Sequence, residues 1–347
     1  MAQAGAGSEP ISWTMTGPAR SAEEVLPTVS VIMPLYNCER YVAEALDSVL
    51  AQTFKDFEVI VVDDGSADGS AAVVERYAAE DSRITLIRQA NRGISAARNA
   101  AIAQASGSAI AFLDPDDVWF PTKLARQLPL LTDTNLVYGA EYRIWEDEPD
   151  RTEGLSKAVD EIGSDDPLRA IMRKNSVWGP NTVMVSRSLL EHHGGFDEDI
   201  RQAEDVDLWL RFASSGVQFR HVPEPLGKYR IRTGSLSANT VSQATARVRV
   251  YEKLVACNGG AHLAKRLAIR AGLKRVRRQL SRELRTRGYR ALLEGRAAEG
   301  RRDLRDSIAV APLSWRCWVA AGLLTTPGAP RLLSSLRAER YLAVRKS

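Results

Sequence analysis

The sequence predicts a doubly wound α/β domain with a largely parallel sheet, followed by a helical appendage. Short, almost continuous apolar runs at residues 29–33, 58–62, 84–87 and 109–113 are typical of strands buried on both faces. Between these runs, apolar residues recur three or four positions apart, as they do on the buried face of a helix. Strands that alternate with helices at this spacing indicate a sheet covered by helices on both faces.

Helices are predicted at residues 42–50, 70–79 and 94–105, between those strands. Further along, residues 136–144 and 182–185 have strand character, and a helix is predicted at 204–213. From about residue 245 the chain becomes helical and Arg-rich, with a helix pair predicted to be broken near Gly300 and Pro312. We therefore expect a flexible leader over residues 1–27, an α/β domain over 28–240 and a basic helical region over 241–347.

Composition points to a folded protein of the reducing cytosol. The 347 residues are 44% hydrophobic and 26% charged, which argues against global disorder. Cys38, Cys257 and Cys317 lie far apart, so their spacing fits neither a disulfide framework nor a zinc motif. No secretory signal pattern opens the chain, and no stretch reaches the ~20 apolar residues of a membrane-spanning helix. These features predict a cytoplasmic location.

Charge is distributed unevenly along the chain. Residues 261–347 hold 21 Lys/Arg and 6 Asp/Glu, a net charge of +15, whereas the remainder is acidic and brings the whole chain to +4. A basic tail on an acidic body favours an anionic partner. Tyr289 is the only aromatic residue between 265 and 290, so we expect no nucleic acid there. We expect peripheral contact with an anionic membrane at its inner face or, as the alternative, a solvated helical face.

Polar residues follow three of the predicted strands at the point where each strand ends. In an open parallel sheet the carboxyl ends of the strands line one crevice, and ligands bind in that crevice. The three polar turns are therefore expected to converge on one site. They comprise Pro34, Tyr36 and Asn37 after the first strand, Asp63 to Ser66 after the second, and Asp114 to Asp117 after the fourth.

The turn from Asp114 to Asp117 predicts a cation site. It holds three carboxylates within four residues, and Mg²⁺ is commonly bound by one or two carboxylates together with substrate phosphates. A cation there would neutralise charge on a diphosphate leaving group. The alternative is a turn or a helix cap, since Asp suits both and Pro115 fixes a turn. Asp64 likewise suits a simple turn or a hydrogen bond to a nucleobase or ribose, with Tyr36 as an aromatic wall.

Two later segments carry further candidate side chains. Arg98 lies near the start of a predicted helix, where we expect either a phosphate contact or a surface ion pair. Asp205 begins a helix and shares a face with Leu208, Trp209 and Phe212. A carboxylate in the first helical turn on an apolar face should stay ionised at neutral pH yet accept a proton, as a general base must. The alternative is an acidic helix N-terminus with no further role.

Other enzyme classes lack support in the sequence. It contains no Gly-x-Gly-x-x-Gly, no Walker Gly-x-x-x-x-Gly-Lys and no Gly-x-Ser-x-Gly elbow. The adjacent His192 and His193 lack the spacing of a metal site. The polar turns and the acidic helix start are thus the features that carry chemistry.

Taken together, these segments resemble the family-2 glycosyltransferases of GT-A fold over about residues 28–235. Five motifs occur in the order of that family, which makes the likeness specific. They are Val-Ser-Val-Ile-Met-Pro-Leu-Tyr-Asn (29–37), Val-Val-Asp-Asp-Gly-Ser (61–66), Asn-Arg-Gly (91–93) leading to Arg-Asn (98–99), Leu-Asp-Pro-Asp-Asp (113–117), and Glu204-Asp205 with Trp209. The stretch Gly-Gly-Phe-Asp-Glu (194–198) also fits.

The resemblance implies an inverting transfer from a nucleoside-diphosphate (NDP) sugar, usually of uridine or another pyrimidine, to an acceptor hydroxyl. Asp64 would hold the base, Asp114 the ribose, and Asp116 a Mg²⁺ or Mn²⁺ ion that bridges the diphosphate. Asp205 would take the proton of the acceptor hydroxyl as that oxygen attacks the anomeric carbon. The acceptor implied is a saccharide or a lipid-linked molecule, in the synthesis of a bacterial polysaccharide or glycolipid.

One departure from the family pattern concerns the metal. Members often show Tyr-Arg-x-His-x-x-Ser after the helix that carries the base, whereas this chain has Arg232 at the histidine position. An arginine cannot ligate a metal, but it can bind the diphosphate directly. On the acceptor side the candidates are Trp178, Glu204 and Trp209. The alternative function is a catalytically silent nucleotide-sugar-binding scaffold that acts through its basic tail.

Overall fold

The computed structural model describes residues 27–147, 152–153, 166–174, 179–232 and 239–312. Backbone contacts divide the chain into two compact units, residues 1–233 and 234–347. This division falls a few residues before the boundary predicted at residue 240, which lies at the start of a helix, Thr240–Cys257. Residues 1–26 of the predicted leader and the acceptor candidate Trp178 lie outside the described residues.

The described strands of the first unit form one mixed sheet. Its order is β3-β2-β1-β4-β8-β6-β9-β5, with β7 paired to β6. The first four strands in this order are parallel, whereas β8 runs antiparallel to β4 and β6. This arrangement confirms the predicted class of a mixed sheet flanked by helices. The strands are β1 Val29–Leu35, β2 Phe57–Asp63, β3 Ile84–Arg88, β4 Ala109–Phe112, β5 Val118–Trp119, β6 Asn135–Trp145, β7 Thr152–Glu153, β8 Met184–Ser186 and β9 Gln218–Ile231.

The helices cover both faces of the sheet because the central strands are apolar on both. Alternate residues of β1, such as Val31 and Met33, form a core with Val42 and Leu46. Ile32 points to the opposite face and is also fully buried. The helices of this unit are α1 Val42–Leu50, α2 Ser70–Glu80, α3 Ile94–Gln104, α4 Lys123–Gln127, α5 Pro167–Lys174, α6 Arg187–His193 and α7 Glu204–Ser214.

The sequence did not predict β9, although this strand has the most residues of the described ones. Its segment contains Pro223 and Pro225 and several charged residues, and proline is a signal against a central strand. β9 pairs with β6 through a shifted register around Ala140, which accommodates the irregular stretch. The strand predicted at 182–185 is also displaced, because residues Pro180–Thr182 form a 3₁₀ turn and β8 begins at Met184. Both corrections concern strands that border the candidate site.

The second unit is helical in its described residues, as the sequence predicts. Its helices are α8 Thr240–Cys257, α9 Leu263–Leu293 and α10 Ala297–Val310. The break between α9 and α10 falls at residues 294–296, so the break predicted near Gly300 was misplaced. Arg287 on α9 pairs with Asp303 on α10 at 2.6 Å. None of the described helices is long and apolar enough to cross a membrane.

Candidate active site

The turns that follow β1 and β2 are joined by hydrogen bonds. The amide of Asn37 donates to Ser66 Oγ at 3.0 Å, and the amide of Ala67 donates to Asn37 Oδ1 at 2.8 Å. Asn37 adopts a left-handed conformation with φ 48°, which asparagine tolerates better than most residues. Tyr36 beside it is 50% exposed, whereas Pro34 is buried inside β1 rather than in the turn. The first two polar turns therefore meet, with Tyr36 accessible at their edge.

Asp64 is engaged by the loop that leads into α3. One carboxylate oxygen accepts from Gln89 Nε2 at 2.7 Å and from the amide of Arg92 at 2.8 Å. The other accepts from the amide of Gly93 at 2.8 Å. Asp64 is 3% exposed. Its hydrogen bonds therefore hold this loop against the end of β2. The contact with a nucleobase remains a prediction.

Arg98 connects two acidic side chains that the sequence placed in different motifs. Its Nη2 lies 2.7 Å from Asp114 Oδ1 and its Nη1 lies 2.7 Å from Glu204 Oε1. Burial by itself would lower the pKa of Arg98, but the two carboxylates outweigh burial and raise it. The side chain is 1% exposed, so a phosphate contact would require it to leave both partners. The geometry therefore favours the ion-pair alternative over the phosphate contact, although the ion pair is buried rather than on the surface.

Arg232 faces the predicted metal ligand. Its Nε lies 2.7 Å from Asp116 Oδ2, and both side chains are partly exposed. The preceding part of β9 supports the same turn, because the amide of Arg230 donates to Asp117 Oδ1 at 2.8 Å. The Tyr41 ring lies 5.2 Å from the Arg230 guanidinium and 5.5 Å from that of Arg232, and a ring face attracts cations at such distances. β9 and the residue that follows it thus place two arginines, Arg230 and Arg232, at the acidic turn.

Asp205 lies in the first turn of α7, directly after Glu204. Because Glu204 is bonded to Arg98, the start of α7 is held beside the turn that contains Asp114. Ala203 precedes the helix in a left-handed conformation with φ 61°, which costs a residue with a side chain about 1 kcal/mol or more. Such strain persists only where surrounding contacts impose it, and it falls two residues before Asp205.

Two of the acceptor candidates have other uses in the structure. Trp209 is fully buried and packs edge-on against Phe112, with ring centroids 6.3 Å apart. It is a core residue, so the prediction that it contacts the acceptor was wrong. Its apolar face on α7 packs on the sheet, as amphipathic spacing dictates. Glu204 is occupied by Arg98 and only 8% exposed, which favours a structural role over acceptor contact.

A further acidic side chain lies near the site and was not identified from the sequence. Glu141 on β6 accepts from Asn181 Nδ2 at 3.1 Å, and Trp119 Nε1 donates to Asn181 Oδ1 at 2.8 Å. Burial, followed by the charge of Asp114, raises the pKa of Glu141 to about 7, although the bond from Asn181 opposes the rise. A glutamate inside a predicted buried strand is the signal that could have identified it.

Asp117 is the most deeply buried carboxylate of the acidic turn, at 1% exposure. Burial, then the charges of Asp116 and Glu141, raise its pKa well above the usual range. Its Oδ2 atom has no hydrogen-bond partner within the described part of the chain. Asp117 is therefore a buried structural residue of the site. Asp114 and Asp116 are more accessible.

The donor set fits a cation that is shared with a diphosphate. Asp114 and Asp116 have 22% and 17% of their side chains exposed. Burial raises the pKa of Asp116, the positive charge of Arg232 lowers it, and the negative charge of Asp114 raises it again. A divalent cation would therefore stabilise the ionised form of Asp116 in addition to Arg232. No group of three or more His, Cys, Asp or Glu in the described residues is arranged to hold a metal by itself. Two carboxylates suffice for Mg²⁺ where substrate phosphates complete the coordination shell.

Solved structures define the class of fold to which this sheet belongs. The described part of the first unit has the GT-A fold. The chain resembles S. aureus TarS 1-349 in complex with UDP-GlcNAc, with a TM-score of 0.57 and 19% identity over 82% of each chain. It also resembles the mannosyltransferase PcManGT from Pyrobaculum calidifontis in complex with GDP-Man and Mn²⁺, with a TM-score of 0.57 and 21% identity over 93% of this chain and 87% of that one.

Sequence relatives place the chain in a family. The profile of Glycosyl transferase family 2 matches residues 30–194. The putative teichuronic acid biosynthesis glycosyltransferase TuaG of Bacillus subtilis (strain 168) is 32% identical over 231 residues, which are 66% of this chain and 88% of TuaG. The putative glycosyltransferase EpsE of the same strain is 35% identical over 59% of this chain and 73% of EpsE. The chain belongs to glycosyltransferase family 2.

Proposed function

We propose that this glycosyltransferase moves a sugar, with inversion at the anomeric carbon, from an NDP-sugar to an acceptor hydroxyl in the synthesis of a cell-envelope polysaccharide or glycolipid. The name of TuaG supports the polysaccharide product, and the complex of TarS with UDP-GlcNAc supports a uridine donor. The complex of PcManGT with GDP-Man makes a guanosine donor the second one to test.

The observation that carries this proposal is the pair of bonds made by Arg98. They hold the acidic turn after β4 and the start of α7 against one side chain, each at 2.7 Å. A transferase of this kind needs a diphosphate site and a base on the acceptor side within one sugar ring of each other. The clamp brings the segment that contains Asp116 and the segment that contains Asp205 together for that purpose.

The nucleotide would bind along the first two polar turns. Tyr36 is exposed and offers a ring face to the base, while the amide and side chain of Asn37 shape the adjoining turn. Asp64 holds the loop beside them and is the candidate contact for the base. Asp114 keeps one carboxylate oxygen on Arg98 and can offer the other to the ribose.

The diphosphate would lie between Asp116 and Arg232. Asp116 would hold the Mg²⁺ or Mn²⁺ ion, which when bound neutralises charge on the departing diphosphate. Arg232 forms an ion pair with Asp116 and can offer N–H groups to phosphate oxygens. The guanidinium cannot replace a metal ligand, so we assign it to the diphosphate itself.

Asp205 would act as the general base. It takes the proton of the acceptor hydroxyl while that oxygen forms a bond to the anomeric carbon. The bond from that carbon to the diphosphate oxygen breaks, and the NDP leaves with the electron pair. Attack from the face opposite the leaving group inverts the configuration. A positioned base of this kind contributes about 10²–10⁴-fold to the rate.

Transfer assays with variants of Asp205 test this assignment. Asp205→Asn should lower transfer by about 10²–10⁴-fold while the thermal shift caused by the NDP-sugar is retained. Asp199→Asn, in the exposed loop before α7, is the matched control and should transfer sugar at the wild-type rate. Wild-type turnover by Asp205→Asn would refute the role of base.

The silent scaffold predicts a different result in the same assays. Such a protein would show thermal shifts with UDP- or GDP-sugars but would release no free nucleotide, with or without acceptor. We expect nucleotide release by the wild type and its loss in Asp116→Ala, because the diphosphate then lacks its neutralising partner. Donor binding with no nucleotide release in any metal and acceptor condition would favour the scaffold.

A further inference from the structure

The exposed side of helix α9 carries two leucines that the proposed reaction does not use. Leu263 and Leu267 are 63% and 57% exposed, the highest values among large apolar side chains in the described residues. They are four residues apart, so they lie next to each other at the start of the helix. Adjacent exposed leucines are uncommon on a surface that contacts only water and often mark contact with another molecule.

A row of cations continues the same side of the helix. Arg270, Lys274 and Arg278 follow Leu267 at spacings of three or four residues, and all three are exposed. None of them pairs with a carboxylate in the part of the chain that the structure describes. No acidic residue occurs between 263 and 282. We call Leu263, Leu267, Arg270, Lys274 and Arg278 the leucine–cation face.

The rest of α9 is occupied within its own unit. Ile269, Val276 and Leu280 are buried on the other side of the helix. Towards the C-terminus the leucine–cation face ends at Ser281, which is buried and donates to the Ser307 carbonyl at 2.8 Å. The face therefore extends from residue 263 to 278, about 22 Å along the helix. It presents an apolar end followed by three positive charges in line.

We propose that the leucine–cation face docks the protein on the surface of a bilayer that contains anionic lipids. Helices that lie on membranes place apolar residues in the acyl boundary and Lys or Arg against the headgroups. Each such cation adds to the attraction of an anionic surface. The phosphates of a nucleic acid would bind the three cations, but Leu263 and Leu267 would remain in water. The combination of both features selects the membrane.

Co-sedimentation of the whole 347-residue chain with vesicles tests this surface. One set of vesicles is phosphatidylcholine alone, and the other also contains phosphatidylglycerol. We expect binding to the mixed vesicles, weakened by added salt because exposed charges are screened. Arg270→Gln/Lys274→Gln/Arg278→Gln should weaken it by about 100-fold. Leu263→Ser/Leu267→Ser should weaken it by about tenfold, since two apolar side chains no longer leave water.

Two control variants match these changes elsewhere on the chain. Arg301→Gln/Arg302→Gln/Arg305→Gln removes the same charge from exposed positions on α10. Leu130→Ser/Leu293→Ser removes two other exposed leucines. Both should bind mixed vesicles like the wild type, and circular dichroism melting confirms that each variant is folded. The readout is independent of sugar transfer, so this proposal and the proposed function can fail separately.

Four outcomes would overturn the proposal. The wild type could show no preference for the mixed vesicles. The two charge variants could lose binding equally, which would indicate general charge attraction rather than this face. The leucine variant could bind like the wild type while duplex DNA binds as tightly as the vesicles, which would identify a nucleic-acid partner. A dimer that Leu263→Ser/Leu267→Ser dissociates, without a change in vesicle binding, would assign the leucines to a second copy of the chain.

Discussion

The Nη1 atom of Arg98 lies 2.7 Å from Oε1 of Glu204, and this buried bond joins helix α3 to the start of helix α7. The same guanidinium donates through Nη2 to Asp114 at the end of β4. A buried arginine is tolerated where carboxylates face it, and here two of them do. One side chain thus sets how far the acidic turn lies from the helix that carries Asp205.

Replacement of Arg98 should destabilise the first unit strongly. Arg98→Met leaves two acidic side chains without their buried counter-charge, which should cost about 3–5 kcal/mol of unfolding free energy. Arg98→Lys should cost less, because an ammonium keeps the charge but cannot reach both carboxylates in a fork. Urea denaturation measures both. Arg92→Met breaks an exposed pair with Glu198 and should change stability by less than about 1 kcal/mol; equal effects at both arginines would contradict the clamp.

The stability of the wild type should fall between pH 4.5 and 7 because of Glu141. Its pKa is raised from 4.5 to about 7 in the folded protein, so the folded state binds the proton more tightly than the unfolded chain does. The contribution of protonated Glu141 to the stability of the folded protein is complete below pH 4.5 and is lost as the pH rises through 7. Glu141→Gln cannot titrate, so its stability relative to the wild type should increase by about 3 kcal/mol over this interval.

Denaturation of both proteins at a series of pH values checks this expectation. The glutamine can keep the hydrogen bond from Asn181 Nδ2, so the pair differs mainly in the ionisable group. Glu191→Gln, at an exposed position on α6, is the control for a change from Glu to Gln that leaves Glu141 in place. Parallel profiles for Glu141→Gln and the wild type would mean that Glu141 titrates normally.

Arg232 should weaken metal binding in the absence of a nucleotide. Its guanidinium lies 2.7 Å from Asp116 and competes with a divalent cation for the same carboxylate. Arg232→Ala should therefore bind Mn²⁺ about tenfold more tightly in calorimetric titration, which corresponds to about 1.4 kcal/mol. Arg40→Ala, which breaks the exposed pair with Glu146, should leave the affinity unchanged. Weaker Mn²⁺ binding by Arg232→Ala would show that the arginine supports the metal site instead.

The alternation of strands and helices was predictable because the parallel strands are buried on both faces. β1, β2 and β4 are almost continuous apolar runs, and the polar turns follow from where those runs stop. β9 was not predictable in this way, since two prolines and several charged residues interrupt its pattern. Because β9 was not predicted, the sequence could not explain why Arg232 lies against Asp116. Arg232 itself was identified through the family pattern.

The partners of single side chains were harder to predict than the elements that carry them. Arg98 pairs with residues 16 and 106 positions away, so its burial depends on contacts that a local pattern does not contain. A helical position near polar residues looks the same for a buried clamp and for a surface ion pair. Trp209 shows the reverse case, because its amphipathic spacing indicated the core correctly and the family motif suggested the acceptor.

A substitution at Gly300 distinguishes two roles for this glycine, a break between two helices or close packing of two helices. If Gly300 lay at a break between helices, alanine would stabilise the protein by about 0.4–1 kcal/mol, because it restricts the unfolded chain. In the structure Gly300 lies inside α10, and a Cβ atom there would come within 2.7 Å of the Gly288 carbonyl oxygen and 2.6 Å of Leu292 Cγ on α9. Gly300→Ala should therefore force the two helices apart and cost about 1–3 kcal/mol. Gly260→Ala, where a Cβ meets open space, should be nearly neutral, and thermal denaturation of the two variants distinguishes close packing from a break.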